Sequence, residues 1–309
     1  MRKEIDLLLV GDAVLDIYFR IDSFPLSSEV VESSPTLDII PGAMCTVAIT
    51  SSRMGLRTAL LDTVGCDCNG SLLLDSLKNE GVETGYVRRS AKCRTSVCAV
   101  IVANSHRHSF IGWSDPINHI AHATRRSIIS RARMLFFDGY TLASGAGTLK
   151  SMRKVLDICS SENVTVAFDP GPLIADIPSP DVFCVASDII FLNSEEKRIF
   201  DRMVQKRRLD FSDKLIVEKM GALGSRCHNA GQTIHSRGVR LDRIDNTVGA
   251  GDVFDAVFLW ALFMGLDVRS CLDAANFAAA KRVSSGAISG IVSRNEVLGY
   301  INVHKQRVI

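Results

Sequence analysis

Short apolar runs bounded by turn residues recur along the chain, and segments of helical spacing lie between them. The runs are mostly continuous rather than alternating, which is typical of strands buried on both faces; they are 6–10, 58–64, 134–137, 165–168, 188–192 and 214–217. Helical spacing marks residues 43–54, 71–79, 147–160, 194–203, 250–264 and 268–284. This order predicts an α/β fold in which helices cover both faces of a parallel sheet.

Two of these helices carry start signals. Asn69 precedes the helix expected at 71–79. Asn193, followed three residues later by Glu196, resembles a capping box, in which each residue bonds the backbone of the other.

Two stretches interrupt the alternation of strands and helices. Residues 18–40 lack it, and residues 95–111 read as two strands around a turn at Asn104 and Ser105. A small sheet built from these excursions would form a lid over one edge of the main sheet and exclude water from a reacting site. Since no repeat, low-complexity segment or linker divides the sequence, we expect a single α/β domain over 1–309 with a β lid from about 18–40 and 95–111.

Composition and charge narrow the class of partner. The 309 residues are 47% hydrophobic and 23% charged, as in an ordinary globular protein. The net charge of +2 favours neither a nucleic-acid nor a membrane partner, so a small molecule is expected. The apolar run 7–10 is too short for a signal peptide, and the run 256–264 is far below the ~20 residues of a membrane span. The sequence therefore predicts a soluble, cytoplasmic protein.

Cysteine and histidine give little indication of a metal. The nine cysteines lie in mostly apolar segments without a CxxC pair, so we interpret them as reduced core residues. His119 and His122 are three residues apart, and His106 and His108 alternate, but no HExxH pattern or cysteine partner completes a ligand set. We expect no metal site from these residues.

The strongest local signal is the sequence Asn-Thr-Val-Gly-Ala-Gly-Asp at 246–252, which precedes an apolar helix. Free N–H groups at a helix start form an anion site, and Gly249 and Gly251 let a ligand approach the backbone. Asp252 in the first turn stabilises the helix but would repel a bound phosphate unless the chemistry requires a carboxylate, as a general base does. The alternative is that the glycines form only a tight turn and Asp252 only caps the helix.

Other phosphate-binding motifs are missing from the sequence. There is no GxxxxGK(S/T) loop, and Gly145 and Gly147 lack the third glycine and the preceding strand of a dinucleotide fingerprint. A Rossmann dehydrogenase is therefore disfavoured.

Six motifs in order resemble the ribokinase-like, or PfkB, family of carbohydrate kinases over essentially the whole chain. They resemble its N-terminal strand with a substrate aspartate, its GGAxxNxA helix start, and its VGxDxxG, NxxE, TLGxxG and DTxGAGD motifs; in this sequence they are 10–12 with Asp16, 41–48, 64–70, 193–196, 219–224 and 247–252. The resemblance implies a ribokinase-like, mostly parallel central sheet flanked by helices, with a small β lid.

The resemblance also implies a role for each matching residue. Asp252 would be the catalytic base, beside an anion hole formed by the N–H groups of Gly249, Ala250 and Gly251. The acceptor would be held by Asp12, Asp16, Gly42, Thr46 and Arg107. The nucleotide would be held by Asn193, Glu196, Lys219, Gly221, Gly224 and Asn276, with Glu196 organising Mg²⁺ through water. The co-substrate would be ATP, and the chemistry would rest on positioning and charge neutralisation.

The sequence departs from the family pattern at several positions. Thr46 replaces a sugar-binding Asn and Pro41 replaces a Gly, which leaves the substrate open. Asn246 replaces an Asp that many members associate with a monovalent cation, so dependence on K⁺ is also open. Lys219 replaces a Thr, and it could pair with phosphate or be solvated. The segment 169–172 lacks the Asn and Arg of the family's DxNxR motif.

The resulting expectation is an ATP-dependent phosphotransferase acting on a hydroxymethyl group of a small sugar or sugar-like molecule. Two alternatives stay open: a nucleoside kinase of the same family, and a non-catalytic nucleotide-binding regulatory protein. A homodimer through the lid is a further expectation, because Val97, Ala99 and Ile101 alternate on one face of a lid strand. The same face could instead cover the chain's own active site.

Overall fold

The computed structural model describes residues 3–22, 33, 38–103, 108–285 and 292–305. Its main sheet has eight strands in the order β14-β13-β12-β11-β10-β9-β1-β4. In chain order these strands are β1 (Ile5–Val10), β4 (Thr58–Leu61), β9 (Ala132–Asp138), β10 (Thr165–Asp169), β11 (Ile189–Asn193), β12 (Leu215–Lys219), β13 (Gly224–Asn229) and β14 (Gln232–Arg237). All pairs are parallel except those of the β12-β13-β14 edge. The predicted α/β class with a mostly parallel central sheet is confirmed.

Helices cover both faces of this sheet. On one face lie α1 (Met44–Arg53), α2 (Cys68–Asn79), α8 (Ala250–Phe263), α9 (Val268–Ser285) and α10 (Arg294–Lys305). The other face packs against α3 (Arg126–Ile129), α4 (Gly139–Ala143), α5 (Ala146–Glu162), α6 (Pro180–Val185) and α7 (Ser194–Arg207). In β1, Leu7 and Leu9 enter the first core while Leu8 and Val10 enter the second, which explains the continuous apolar run.

A second sheet, which we call the small sheet, has the strand order β3-β2-β7-β8. Its strands are β2 (Ala13–Ile21), β3 (Asp38–Ala43), β7 (Ser96–Ala103) and β8 (His108–Trp113). They fall in or beside the excursions 18–40 and 95–111. The turn expected at Asn104 and Ser105 lies outside the described residues, and closure of this sheet as a lid stays a prediction.

Several local expectations need correction. The run 58–64 divides into β4 and β5 (Thr63–Gly65), and β5 pairs with β6 (Arg88–Ser90) in a separate sheet. Asn69 does not start α2: Asp67 is its N-cap, and its side chain accepts hydrogen bonds from the Gly70 N–H and the Thr95 hydroxyl.

The cysteines are all free thiols, as expected, but not all are core residues. Six are buried, whereas Cys66 and Cys68 are exposed and Cys98 is half-buried. The two exposed thiols lie where β5 gives way to the start of α2, a turn that leaves both side chains outside the core. Within the described ranges, none of the helices has the length and apolar character needed to cross a membrane.

Candidate active site

Polar residues end four adjacent parallel strands of the main sheet. Asp138 ends β9, Asp169 ends β10, Asn193 ends β11 and Lys219 ends β12. The register pairs Asp138 with Asp169 and Asn193 with Lys219, so the four residues form a row along one edge. This carboxyl edge is where open α/β sheets place their ligand sites.

The N-terminus of α8 lies beside this row. Gly249 is its N-cap in the left-handed conformation (φ 76°), and Asp252 stands in its first turn. The first turn of a helix leaves N–H groups without helical acceptors, so this turn can bind an anion. A Cβ atom on Gly251 would lie 3.5 Å from Lys219 Nζ, which places the ammonium directly beside the turn.

Lys219 is held by two carboxylates and is not solvated. Its Nζ lies 2.6 Å from Asp169 Oδ2 and 3.1 Å from both oxygens of Asp255, which is one helical turn beyond Asp252. Burial raises the pKa of Asp255 well above its usual range. At Asp169 burial is opposed by the charge of Lys219 together with hydrogen bonds from Asp255, Lys219 and the Gly171 N–H, and the pKa is lowered. Protonated Asp255 therefore donates to ionised Asp169, and the three groups together are neutral.

Asp252 and Asp16 come together from distant parts of the sequence. Burial, opposed by Lys219 but reinforced by Asp169, raises the pKa of Asp252 to about 7. Burial and the nearby Asp252 raise the pKa of Asp16 to about 7 as well. Both carboxyls therefore change protonation near neutral pH, the range in which a general base is most effective.

Asp16 is seated on β2 by Gly42 of the neighbouring strand β3. A Cβ atom at position 42 would overlap the Asp16 carboxylate, so only glycine leaves room for it. Thr46 lies further along, where its methyl group would be 3.8 Å from a Cβ on Gly249. Four of the predicted acceptor and turn residues thus meet at one place. Arg107 lies outside the described residues.

Asp12 follows β1 with a positive φ of 52°, a conformation that favours short polar residues. Burial, followed by the charge of Asp138, raises its pKa well above the usual range. Burial also raises the pKa of Asp138, to about 6, while hydrogen bonds donated by Thr141 and Asp12 limit the rise. Asp12 is therefore the protonated member of the pair.

Asn193 and Glu196 form the capping box that their spacing predicts. The Glu196 carboxylate accepts from the Asn193 N–H at 2.7 Å and from its Nδ2 at 2.6 Å. Burial, followed by the charge of Asp169, raises the pKa of Glu196 to about 7. Both of its oxygens are thus engaged, which favours a cation bound through water over one bound directly.

These residues fit a Mg²⁺ ion carried on nucleotide phosphates. Glu196 and Asp169 are close enough to influence each other's charge, and Mg²⁺ is commonly bound by one or two carboxylates, phosphate and water. No group of three or more His, Cys, Asp or Glu side chains suited to a metal occurs in the described part of the chain. His119 and His122 instead bond backbone carbonyl groups.

A monovalent cation fits the described residues poorly. The Asn246 amide oxygen already accepts the Val248 N–H at 2.9 Å. Its Nδ2, a donor, is buried without a hydrogen-bond partner. Where the resemblance would place a carboxylate, the side chain is therefore uncharged, and its one oxygen is already engaged.

The remaining predicted nucleotide residues lie at the β13-β14 edge. Asn276 of α9 donates to Ser236 Oγ at 2.8 Å, and Gly224 packs so closely on the backbone of 236–238 that a Cβ would overlap it. Gly221 has a positive φ of 59° and open space around its Cβ position. Gly221 is therefore the one of these three with room for a ligand beside it.

Four charged residues of this site were not assigned a role from the sequence: Asp138, Asp169, Asp255 and Arg282. Arg282 lies on α9 with its Nε 3.5 Å from the Cβ position of Gly249. Asp255 did carry a signal, because a carboxylate inside an otherwise apolar helix needs a partner.

The site combines three features of a small-molecule kinase. They are a mostly parallel sheet, a helix N-terminus that can hold phosphate, and a carboxylate, Asp252, whose pKa of about 7 suits a general base near neutral pH. Residues 5–293 match the family described as pfkB family carbohydrate kinase, and the chain belongs to that family. The chain is a carbohydrate kinase in this broad sense, which includes kinases of sugars and of nucleosides.

Individual relatives show the breadth of the family. The chain is 23% identical over 295 residues to a ribokinase of Bacillus subtilis (strain 168), which covers 94% of this chain and 98% of the relative. It is 26% identical over 280 residues to a nucleoside kinase of Methanothermobacter thermautotrophicus, covering 88% and 87%. The structure of Arabidopsis thaliana ribokinase complexed with ribose and ATP matches with a TM-score of 0.78 at 23% identity, over 97% of this chain and 99% of that one.

Proposed function

We propose that this chain transfers the γ-phosphoryl group of ATP to a hydroxymethyl group of a small sugar or sugar-like acceptor. The observation that carries the proposal is the position of Asp252, a carboxyl with a pKa of about 7, in the first turn of α8 beside Asp16. A carboxylate beside an anion-binding turn is unfavourable unless it has a proton to accept.

The transfer assigns a task to each group. Asp252 accepts the proton of the acceptor hydroxyl. The oxygen of that hydroxyl forms a bond to the γ-phosphorus, and the bond between the γ-phosphorus and the ADP oxygen breaks. The N–H groups of Gly249, Ala250 and Gly251 stabilise the charge of the transferring group. Mg²⁺ held near Glu196 and Asp169 would neutralise phosphate charge. Lys219 keeps Asp169 ionised and in place.

Asp16, seated by Gly42, is proposed to hold the hydroxyl groups of the acceptor, with Asp12 and Thr46 nearby. A neutral Asp12 can donate as well as accept a hydrogen bond, which suits a sugar hydroxyl. For the nucleotide we propose contacts from Asn193 and Gly221, while Lys219 acts through Asp169, and Gly224 and Asn276 hold the β13-β14 edge in place. Arg107 stays in the proposal on the basis of sequence alone.

A nucleoside kinase is the second candidate. Thr46 takes the place of a sugar-binding Asn, and one relative is named a nucleoside kinase. A non-catalytic regulatory role is less well supported, because a protein without turnover has no need of the destabilising carboxylate at Asp252.

The test is Mg²⁺-dependent release of ADP from ATP across pentoses, hexoses, sugar acids, sugar phosphates and nucleosides, with Asp252→Asn alongside. We expect one class of acceptor to stimulate release and the variant to abolish the stimulation. Stimulation by nucleosides alone would select the second candidate. ATP binding without any phosphorylated product would contradict both kinase assignments.

We also propose that the small sheet closes over the acceptor and pairs with that of a second copy. Its outer strands carry exposed apolar side chains: Ile39, Phe110, Ile111 and Trp113. Sedimentation velocity of the wild-type protein and of Ile111→Glu tests the pairing. A dimer that the substitution dissociates is expected, and a wild-type monomer at micromolar concentration would refute it.

A further inference from the structure

Arg282 is a buried cation that forms no ion pair within the part of the chain that the structure describes. Arg282 lies on the last turns of α9 and is only 3% exposed. Its Nη1 is fully buried and has no hydrogen-bond acceptor, and none of the ion pairs among the described residues includes it. The guanidinium group is a permanent cation. A buried charge of this kind is strongly unfavourable unless something neutralises it.

The position of Arg282 relates it to the proposed phosphate turn. A Cβ on Gly249 would lie 3.5 Å from its Nε and 3.6 Å from its Nη2. The guanidinium also lies close enough to Asp16 and Asp252 to oppose the rise in their pKa that burial causes. Arg282 therefore faces the point where the α8 N-terminus meets the proposed acceptor site.

A comparison with Lys219 shows why Arg282 is the cation available to a ligand. The two cations flank the same turn, Lys219 beside Gly251 and Arg282 beside Gly249. Lys219 is neutralised by Asp169 and bonded to Asp255, whereas Arg282 has no such pair. An oxyanion arriving at this turn would neutralise Arg282 without displacing an existing ion pair.

We infer that Arg282 binds an oxyanion, phosphoryl or carboxylate, at the Gly249 end of the turn and is a specificity-determining residue of the site. The inference rests on the proposed function. The oxyanion could belong to the group being transferred or to an acidic acceptor such as a sugar acid or sugar phosphate. Since Arg282 faces Asp16, the proposed acceptor residue, an acidic acceptor is the source we favour.

The first test measures binding directly, with inorganic phosphate as the probe. Isothermal titration calorimetry compares wild type, Arg282→Met, Arg282→Lys and the control Lys281→Met, whose side chain is half exposed. Loss of charge-assisted hydrogen bonds predicts about 10- to 100-fold weaker phosphate binding in Arg282→Met, partial recovery in Arg282→Lys and no change in the control. Equal phosphate affinity in wild type and Arg282→Met would overturn the inference.

Stability gives a readout that separates a binding role from a structural one. Removing an unpaired buried charge while keeping the length of the side chain should leave the Tm of Arg282→Met equal to or above that of wild type. A marked fall in Tm, with stability restored by lysine, would mean that Arg282 is part of a structural ion pair and would overturn the inference.

Kinetics of Arg282→Met then distinguish the source of the oxyanion. If the variant raises the KM for acidic acceptors and leaves that for neutral acceptors unchanged, the oxyanion belongs to the acceptor. A lowered kcat with every acceptor and an unchanged KM assigns it to the transferred phosphoryl group. If wild type phosphorylates nothing in the acceptor panel, the proposed function fails, while phosphate calorimetry still decides the role of Arg282.

Discussion

The substitution Asp252→Asn should make the protein more stable as it makes the enzyme inactive. In the folded protein, burial opposed by Lys219 and reinforced by Asp169 and Asp138 raises the pKa of this carboxyl from 3.8 to about 7. Because the folded state then binds protons more tightly than the unfolded state, ionisation destabilises the fold, and the penalty grows as pH rises from about 4 to about 7. Asparagine has nearly the same shape and carries no charge at any pH.

The magnitude follows from these two pKa values. By linkage, the penalty that asparagine removes is about 1.7 kcal/mol at pH 5 and about 4 kcal/mol at pH 8. With about 2.1 cal/mol/K per residue, the unfolding entropy of 309 residues is about 0.65 kcal/mol/K, so the Tm should rise by about 6 °C at pH 8. Turnover should fall by about 10²- to 10⁴-fold.

The assay is calorimetric unfolding at several pH values, run beside ADP release with the best acceptor. The matched control is Asp242→Asn, an exposed carboxylate five residues after the end of β14 in the segment that leads to α8, which should alter neither quantity. The electrostatic reasoning would be refuted by an inactive variant whose gain in stability over wild type is no larger at pH 8 than at pH 5. A more stable variant with full turnover would refute the role of Asp252 as base.

Three further predictions follow from the same cluster. Since Asp252 must lose its proton to act as a base, kcat/KM of wild type should rise with pH through about 7; a flat profile between pH 5.5 and 8.5 would contradict this. Lys219→Met leaves Asp169 and Asp255 buried without their cation and should lower the free energy of unfolding by about 3–5 kcal/mol in a denaturant titration. The control Lys78→Met, which removes an exposed pair with Asp75, should cost about 1 kcal/mol or less. Gly42→Ala should raise the KM of the acceptor at least tenfold, because its Cβ displaces the Asp16 carboxylate, and leave the KM of ATP unchanged; equal effects on both would mean a general distortion.

The fold was largely predictable from sequence because its central strands are buried on both faces. Each of the continuous apolar runs forms a strand of the main sheet, with run 58–64 divided after Leu61. The hairpin of β13 and β14 was missed because it forms an edge: five of the six residues of β14 are exposed or partly exposed, so no apolar run marks it. The two-residue turn between them, Ala230 and Gly231, was the available signal.

In the candidate site, too, local features could be predicted from the sequence, whereas features that depend on tertiary packing could not. Gly249, Asp252, Asn193 and Glu196 are local signals, since their roles depend on neighbours in sequence, and the capping box is confirmed. Asp138 and Arg282 depend instead on which strands and helices lie side by side. Nothing in the sequence around Arg282, which follows Lys281 near the end of a helix, distinguishes a buried guanidinium from a solvated one.

Lys219 and Arg282 have different tasks in the proposed site. Lys219 neutralises a buried carboxylate, whereas Arg282 attracts phosphate. If Lys219 bound phosphate directly, Asp169 would lose its cation and would repel both the ligand and Asp252. Its ion pair therefore serves to keep Asp169 ionised near Glu196, on the proposed Mg²⁺ side. On the role proposed for Arg282, the attraction at the turn comes from the helix N-terminus and from this guanidinium. Lys219 departs from the family pattern, and Arg282 forms no ion pair among the described residues. The two features thus belong to one electrostatic arrangement.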